Sequence, residues 1–240
     1  MKIEICSDSI ESVLLANNAG ADSIELCSCF SVGGITPSNE LIKEAVRLSK
    51  IPIHCLIRPR EGHFIYNNHE LNTIINDIRN AKENGVKGVV IGVLTKDFKV
   101  NVTQLDKIIK VSKGLEITFH RAFDSIVDSK KAIDLLSEIG INRILSSGKS
   151  NKAINGIQNL ISWKNYNTKI IIQPGGGINN HSASIFKEKG FESIHLSATE
   201  EEKFDTSITK TLENEFSKQI IRRPSLNKMK DIVKIAKKNP

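Results

Sequence analysis

Asn17-Asn18-Ala19-Gly20-Ala21-Asp22-Ser23-Ile24-Glu25-Leu26 reads as the end of a helix, a glycine at its cap and a short apolar strand. The outline returns as Glu83-Asn84-Gly85-Val86-Lys87-Gly88-Val89-Val90, as Glu138-Ile139-Gly140-Ile141-Asn142-Arg143-Ile144-Leu145 and as Lys189-Gly190-Phe191-Glu192-Ser193-Ile194-His195-Leu196. The four glycines lie 65, 55 and 50 residues apart, room for two strand–helix units per interval. Apolar segments at Lys2–Cys6, Ile53–Arg58, Glu116–His120 and Lys169–Gln173 supply the strands in between. Helical spacing follows each strand, near Ile10–Ala19, Asn39–Leu48, Glu70–Asn84, Thr103–Ser112, Ser129–Ile139, Asn151–Trp163, His181–Lys189 and Ser225–Lys237. Eight strands alternating with eight helices predict a parallel sheet, either doubly wound or closed.

Residue parity chooses between them. If Ile3 and Ile5 face the helices, Glu4 and Cys6 point the other way, as do Glu25 and Cys27, His54 and Arg58, Thr118 and His120, and His195 and Ser197. A doubly wound sheet is covered by helices on both faces and would be apolar on both. The first strand also ends in Cys6-Ser7-Asp8-Ser9, without the Gly-x-Gly-x-x-Gly of a dinucleotide fold. One repeatedly polar face, most polar near the strands' carboxyl ends, fits a single α/β domain over residues 1–240, a (β/α)8 TIM barrel whose inward side chains line an active-site mouth. Residues 199–224 fall outside the repeat, and are read as a long loop or small inserted element that caps the mouth or reaches a partner.

Composition narrows the function classes. The chain has 240 residues, 39% hydrophobic and 25% charged, enough for a core and against wholesale disorder. Its net charge of +7 suggests nucleic acid or a membrane surface, but the excess is local. Residues 218–240 carry eight of the 34 basic side chains and one of the 27 acidic ones, which leaves 26 of each in 1–217. Leu226, Met229, Ile232, Val233 and Ala236 run at helical spacing through that basic segment, the pattern of a surface helix with a solvated face. Nucleic acid and membrane are therefore not expected partners. The longest apolar run, Gly88 to Leu94, is far short of the ~20 residues of a membrane span. An acid at Glu4 interrupts what a secretory signal would keep apolar, so a cytoplasmic location is expected.

The side chains with chemistry gather at the predicted strand ends. Cys6 and Cys27 close adjacent strands on the inward face, ~4.8 Å apart, where two thiolates suit a soft ion such as Cu(I) or simply fill the barrel. Arg58, Arg60 and Arg121 offer donors to a carboxylate or phosphate, or neutralise the buried Glu4 and Glu25. His120 is a general acid or base, or a hydrogen-bonded core residue. Gly175, Gly176 and Gly177 form a loop after strand seven that brings backbone N–H groups to an anion, and Ser147 and Gly148 either share that task or form a plain turn.

These motifs, taken together, resemble one family. Glu4-Ile5-Cys6 with Asp8-Ser9, Gly20-Ala21-Asp22 with Ile24-Glu25-Leu26-Cys27, and Gly33-Gly34 with Thr36-Pro37-Ser38 are similar to the CutC family of copper homeostasis proteins. So are Ile57-Arg58-Pro59-Arg60, Thr118-Phe119-His120-Arg121-Ala122-Phe123-Asp124, Ser147-Gly148, Pro174-Gly175-Gly176-Gly177-Ile178 and His195 with Ser197-Ala198. After Arg60 the family's Gly-Gly-Asp-Phe reads Glu61-Gly62-His63-Phe64, so an acid is replaced by His63. The resemblance implies a cytoplasmic (β/α)8 barrel, commonly a homo-oligomer, that binds copper as Cu(I), with Cys6 and Cys27 at the family's cysteine positions. A second expectation is an enzyme acting on a small anionic or phosphorylated metabolite, with His120, Arg121 and Glu25 as catalytic residues and Arg58, Arg60, Ser147, Gly148 and Gly175–Gly177 as anion ligands.

Overall fold

The computed structural model describes residues 1–167, 169–203 and 220–238. In chain order the described elements are β1 (Lys2–Ser7), α1 (Ile10–Ala19), β2 (Ser23–Leu26), α2 (Asn39–Leu48), β3 (Ile53–Leu56), α3 (Asn68–Glu83), β4 (Gly88–Ile91) and α4 (Val102–Val111). They continue through β5 (Glu116–Phe119), α5 (Ser129–Glu138), β6 (Arg143–Ser146), α6 (Ile157–Tyr166), β7 (Ile171–Pro174), α7 (Asn180–Glu188) and β8 (Ser193–Leu196) to β9 (Thr199–Lys203), β10 (Ile220–Pro224) and α8 (Leu226–Lys237).

β1 to β8 are parallel, in the order β7-β6-β5-β4-β3-β2-β1-β8, and a bridge from Gly175 to His195 joins the two outer strands. The sheet is thus a barrel. The repeat works as read: Gly20, Gly85, Gly140 and Gly190 all take the left-handed conformation that ends a helix and sends the chain into the next strand. Caps begin the helices. Ser9, Ser38, Asn67, Asn101, Asp128 and Asn179 each accept a first-turn N–H with the side chain.

The greasy core lies between strands and helices, with Ile3, Ile5, Ile24, Val89, Phe119, Ile144 and Ile194 facing outward onto the helices. α8 buries Met229, Ile232, Val233 and Ala236 and packs on α1, α7 and β1, so its lysines are the solvated face of an ordinary barrel helix.

One helix differs from its sequence reading. α6 starts at Ile157 rather than near Asn151, because Gly148 and Gly156 approach so closely that a Cβ on Gly148 would lie 2.2 Å from the Gly156 carbonyl oxygen. A tight turn occupies the predicted first helical turns. In the 199–224 insertion, β9 and β10 pair antiparallel from Thr199–Pro224 to Lys203–Ile220; the rest of it lies outside the described residues.

Candidate functional site

The inward face of the barrel carries the polar side chains that parity placed there. β1 sets Glu4 beside Ser23 of β2 and His195 of β8, and β2 sets Glu25 beside His54 of β3. Glu4 sits at the centre of this belt. One oxygen meets His54 Nδ1 at 2.6 Å and accepts from Ser23 Oγ at 3.1 Å; the other meets His195 Nδ1 at 3.1 Å. Burial alone would raise the Glu4 pKa, but the two imidazoles outweigh it and hold the carboxyl well below its ordinary range. His54 Nε2 continues to Glu116 at 3.6 Å, and Glu116 accepts from Arg143. Gly88 makes room for this: a Cβ there would lie 2.7 Å from the His54 ring.

Above the belt, at the carboxyl ends of the strands, opens a cavity of about 520 Å³. On its β1–β2–β8 side stand Cys6, Cys27, Glu25 and His195. The Cys6 thiol lies 3.7 Å from Cys27 Sγ and donates to Glu25 Oε1 at 3.5 Å. Cys27, burial and Glu25 all push the Cys6 pKa well up, so it rests as a thiol. His195 Nε2 is 3.9 Å from Glu25 Oε1. Burial works against the His195 cation, yet Glu25 and Glu4 raise its pKa. Burial likewise raises the Glu25 pKa, and Glu25 Oε2 is buried without a hydrogen-bond partner among the described residues. Among the described residues, Cys6, Glu25 and His195 form a group of potential metal ligands, their donor atoms all within 4.8 Å of one another. Sequence reading pairs Cys6 with Cys27 as metal ligands and gives Glu25 a catalytic role instead; it offers His195 by parity and family motif, and does not join either to the thiols.

The β3–β5 side is different. Arg58 is buried, with Nη1 donating to the carbonyls of Val32 (2.8 Å) and Gly34 (2.7 Å) and Nη2 to that of Gly62 (3.0 Å). It pairs with neither Glu4 nor Glu25, because two histidines already compensate the first. His120 begins a short turn after β5; its Nδ1 accepts the N–H of Ala122 at 3.0 Å. Burial and the nearby Arg58 charge lower its pKa to about 3. The imidazolium that an acid–base cycle passes through is therefore disfavoured near neutrality.

The expected anion ligands do not all meet. Arg60 turns away from the cavity: Nε pairs with Glu70, Nη1 donates to the Glu61 and His63 carbonyls and Nη2 to Ile65, and the guanidinium lies over the Tyr66 ring. His63, the family departure, belongs to the same exposed loop and accepts the Ile65 N–H. Ser147 and Gly148 serve an internal anion instead. Asp124 accepts from the hydroxyls of Ser146 and Ser147 and from the N–H groups of Ser147 and Lys149, and Gly148 donates to Ser146 Oγ. Gly175 gives its N–H to Ser146 in the sheet. Gly176, Gly177 and Arg121 do reach the cavity rim. Arg121 holds Asp124 and Ser147 and lies so close over Gly176 that a Cβ there would be 3.4 Å from Nη1. Sequence reading missed Arg222 of β10, which also lines the cavity, since only the folded insertion brings it there.

With this geometry in view, the relatives can be placed. The CutC family model matches residues 1–200. The CutC family protein of Pasteurella multocida is 44% identical over 201 residues, 82% of each chain, and that of Bacteroides thetaiotaomicron 39% identical, over 85% of this chain and 83% of its own. A solved structure from Streptococcus agalactiae, whose name of copper homeostasis protein CutC is given as provisional, superimposes with a TM-score of 0.78 at 33% identity, covering 82% of this chain and 98% of its own. A thiamine phosphate pyrophosphorylase from Pyrococcus furiosus shares the fold alone, at a TM-score of 0.61 and 14% identity. The chain belongs to the CutC family, a (β/α)8 barrel family named for copper homeostasis.

Proposed function

We propose that the chain takes part in copper homeostasis by binding Cu(I) at the floor of the mouth through Cys6 and Cys27. The observation that carries this is the pair of buried sulfurs 3.7 Å apart. Two thiolates on a linear ion would stand ~4.6 Å apart at ~2.3 Å per metal–sulfur bond, so the pair suits a bent site with a further donor. Glu25 and His195 stand within reach of Cys6 for that place. Free thiols so close persist in a reducing compartment, which supports a cytoplasmic location. The test is an anaerobic Cu(I) titration against a competing chelator. Cys6→Ser/Cys27→Ser should bind Cu(I) at least 100-fold more weakly than wild type, and equal affinity discards the proposal.

A second reading rests on a separate observation at the rim. The N–H groups of Gly177 and Ile178, at the foot of α7, make no hydrogen bond among the described residues, and Arg121 and Arg222 line the same cavity. Free N–H groups beside two guanidinium ions suit the phosphate or carboxylate of a small metabolite. Inorganic phosphate should bind wild type measurably by calorimetry, and Arg121→Ala should weaken it about tenfold. No heat with wild type at millimolar phosphate removes this reading and leaves the copper proposal untouched.

A further inference from the structure

His120 is held in one orientation by three contacts. The Nδ1–Cε1 edge lies against Gly92, where a Cβ would come within 2.3 Å of Cε1 and 2.5 Å of Nδ1. The Ala122 N–H donates to Nδ1, and the Phe64 ring packs over the imidazole at 4.8 Å between centroids. A ring nitrogen that accepts carries no proton, so the proton of the neutral ring is assigned to Nε2. That Nε2 is buried and has no hydrogen-bond partner among the described residues. Unmet buried donors are rare in native folds, and a bound ligand is one of the things that completes them.

Arg58 is fixed in the same neighbourhood. Three carbonyls hold its two Nη atoms, and its Cζ lies 5.2 Å from the centroid of the same Phe64 ring. Both side chains line the cavity whose rim carries Gly177 and Arg121. A rigid neutral donor beside an immobile positive charge suits an oxygen that carries or gains negative charge, because ring and guanidinium are already oriented; Nε2 is closed to water, so an oxygen meets it only once the side chains that cover it move aside.

We propose that the β3–β5 side of the mouth is an oxyanion site: His120 Nε2–H donates to the carbonyl or carboxylate oxygen of a small phosphorylated compound, Arg58 supplies fixed positive charge, and the phosphate sits at Gly177 and Arg121. This rests on the second reading above, that the rim takes an anion, and adds the class of its substrate. A phosphorylated oxo or hydroxy acid or sugar has both groups; inorganic phosphate has only one. The site uses neither cysteine, so it is separable from copper.

The test compares 2-phosphoglycolate with inorganic phosphate by calorimetry. Wild type should bind 2-phosphoglycolate at least tenfold more tightly than phosphate. His120→Ala should bring 2-phosphoglycolate down to the affinity of phosphate, and His120→Gln, which keeps a side-chain N–H, should recover part of the difference. Nitrogen-15 NMR of wild type should show the Nε2–H tautomer of His120 from pH 5 to pH 8. If phosphate binds and 2-phosphoglycolate binds no better, or if His120 is an imidazolium or an Nδ1–H tautomer in that range, the oxyanion site is wrong while the rim reading stands. If neither anion binds at millimolar concentration, both fall.

Discussion

His195 and His120 look out over one cavity from β8 and from the end of β5, both buried, and they lean toward opposite charge states. His195 stands between Glu4 and Glu25, and their charge overcomes burial and raises its pKa. No carboxylate among the described residues acts on His120; burial and Arg58 take its pKa down to about 3. Residue type and depth are shared, so the neighbours make the difference. The mouth therefore has an acidic, thiol-bearing side suited to a cation and an arginine side suited to an anion, and the two proposals use different walls of one cavity.

The strongest way to break the comparison is to remove its anchor. Glu4→Ala strips the carboxylate from two buried histidines and should cost about 3–5 kcal/mol in urea denaturation, because removing the central member of a buried, hydrogen-bonded network is penalised heavily. A loss below ~1 kcal/mol would mean that His54 and His195 do not depend on it. On the other wall, Gly92→Ala should cost about 2 kcal/mol, since its Cβ would meet the His120 ring and lie 2.8 Å from the Ala122 Cβ. It should also abolish the Nε2–H signal of the native ring orientation, whereas an unaltered NMR spectrum would show that the ring has space to spare.

Acidity sharpens the contrast through its sign. An unfolded histidine titrates near ~6.5, above folded His120, so the unfolded chain binds the extra proton and stability falls as pH drops below that value. His120 should account for about 1.4 kcal/mol lost between pH 7.5 and pH 5.5, a slope that His120→Gln flattens. His195 has the opposite sign. Its folded pKa is raised, so its contribution is present below ~6.5 and disappears as pH climbs through the folded value. His195→Gln should remove a fall on the alkaline side; parallel curves for both variants would erase the distinction. The smallest effect belongs to Arg60→Ala, expected to cost under ~1 kcal/mol and to leave 2-phosphoglycolate binding unchanged, because its partly exposed pair with Glu70 in the first turn of α3 lies away from the cavity.

Much of this was legible beforehand because a strand alternates with a period of two. Glu4, Cys6, Glu25, Cys27, His54, His120 and His195 could be assigned to one face without coordinates, and that face lines the barrel and its mouth. Outside the strands the periodicity ends, and so did the reading. Arg60 and Arg58 are two residues apart, yet one coils into a loop and the other is clamped by carbonyls. Ser147 and Gly148 had the composition of an anion loop, but Asp124 fills that place from 23 residues away.

The amino-acid order determined by itself that eight strand–helix units form a parallel sheet, which face is polar, and that α8 spends its lysines on solvent. Those properties follow from local periods and caps, which any short stretch of chain expresses. Closure of the cylinder decided the rest: it set His195 against Glu4 across 191 residues, brought Arg222 to the rim, and gave two histidines opposite charge preferences. Electrostatic environment is a sum over spatial neighbours, and those come from every strand at once.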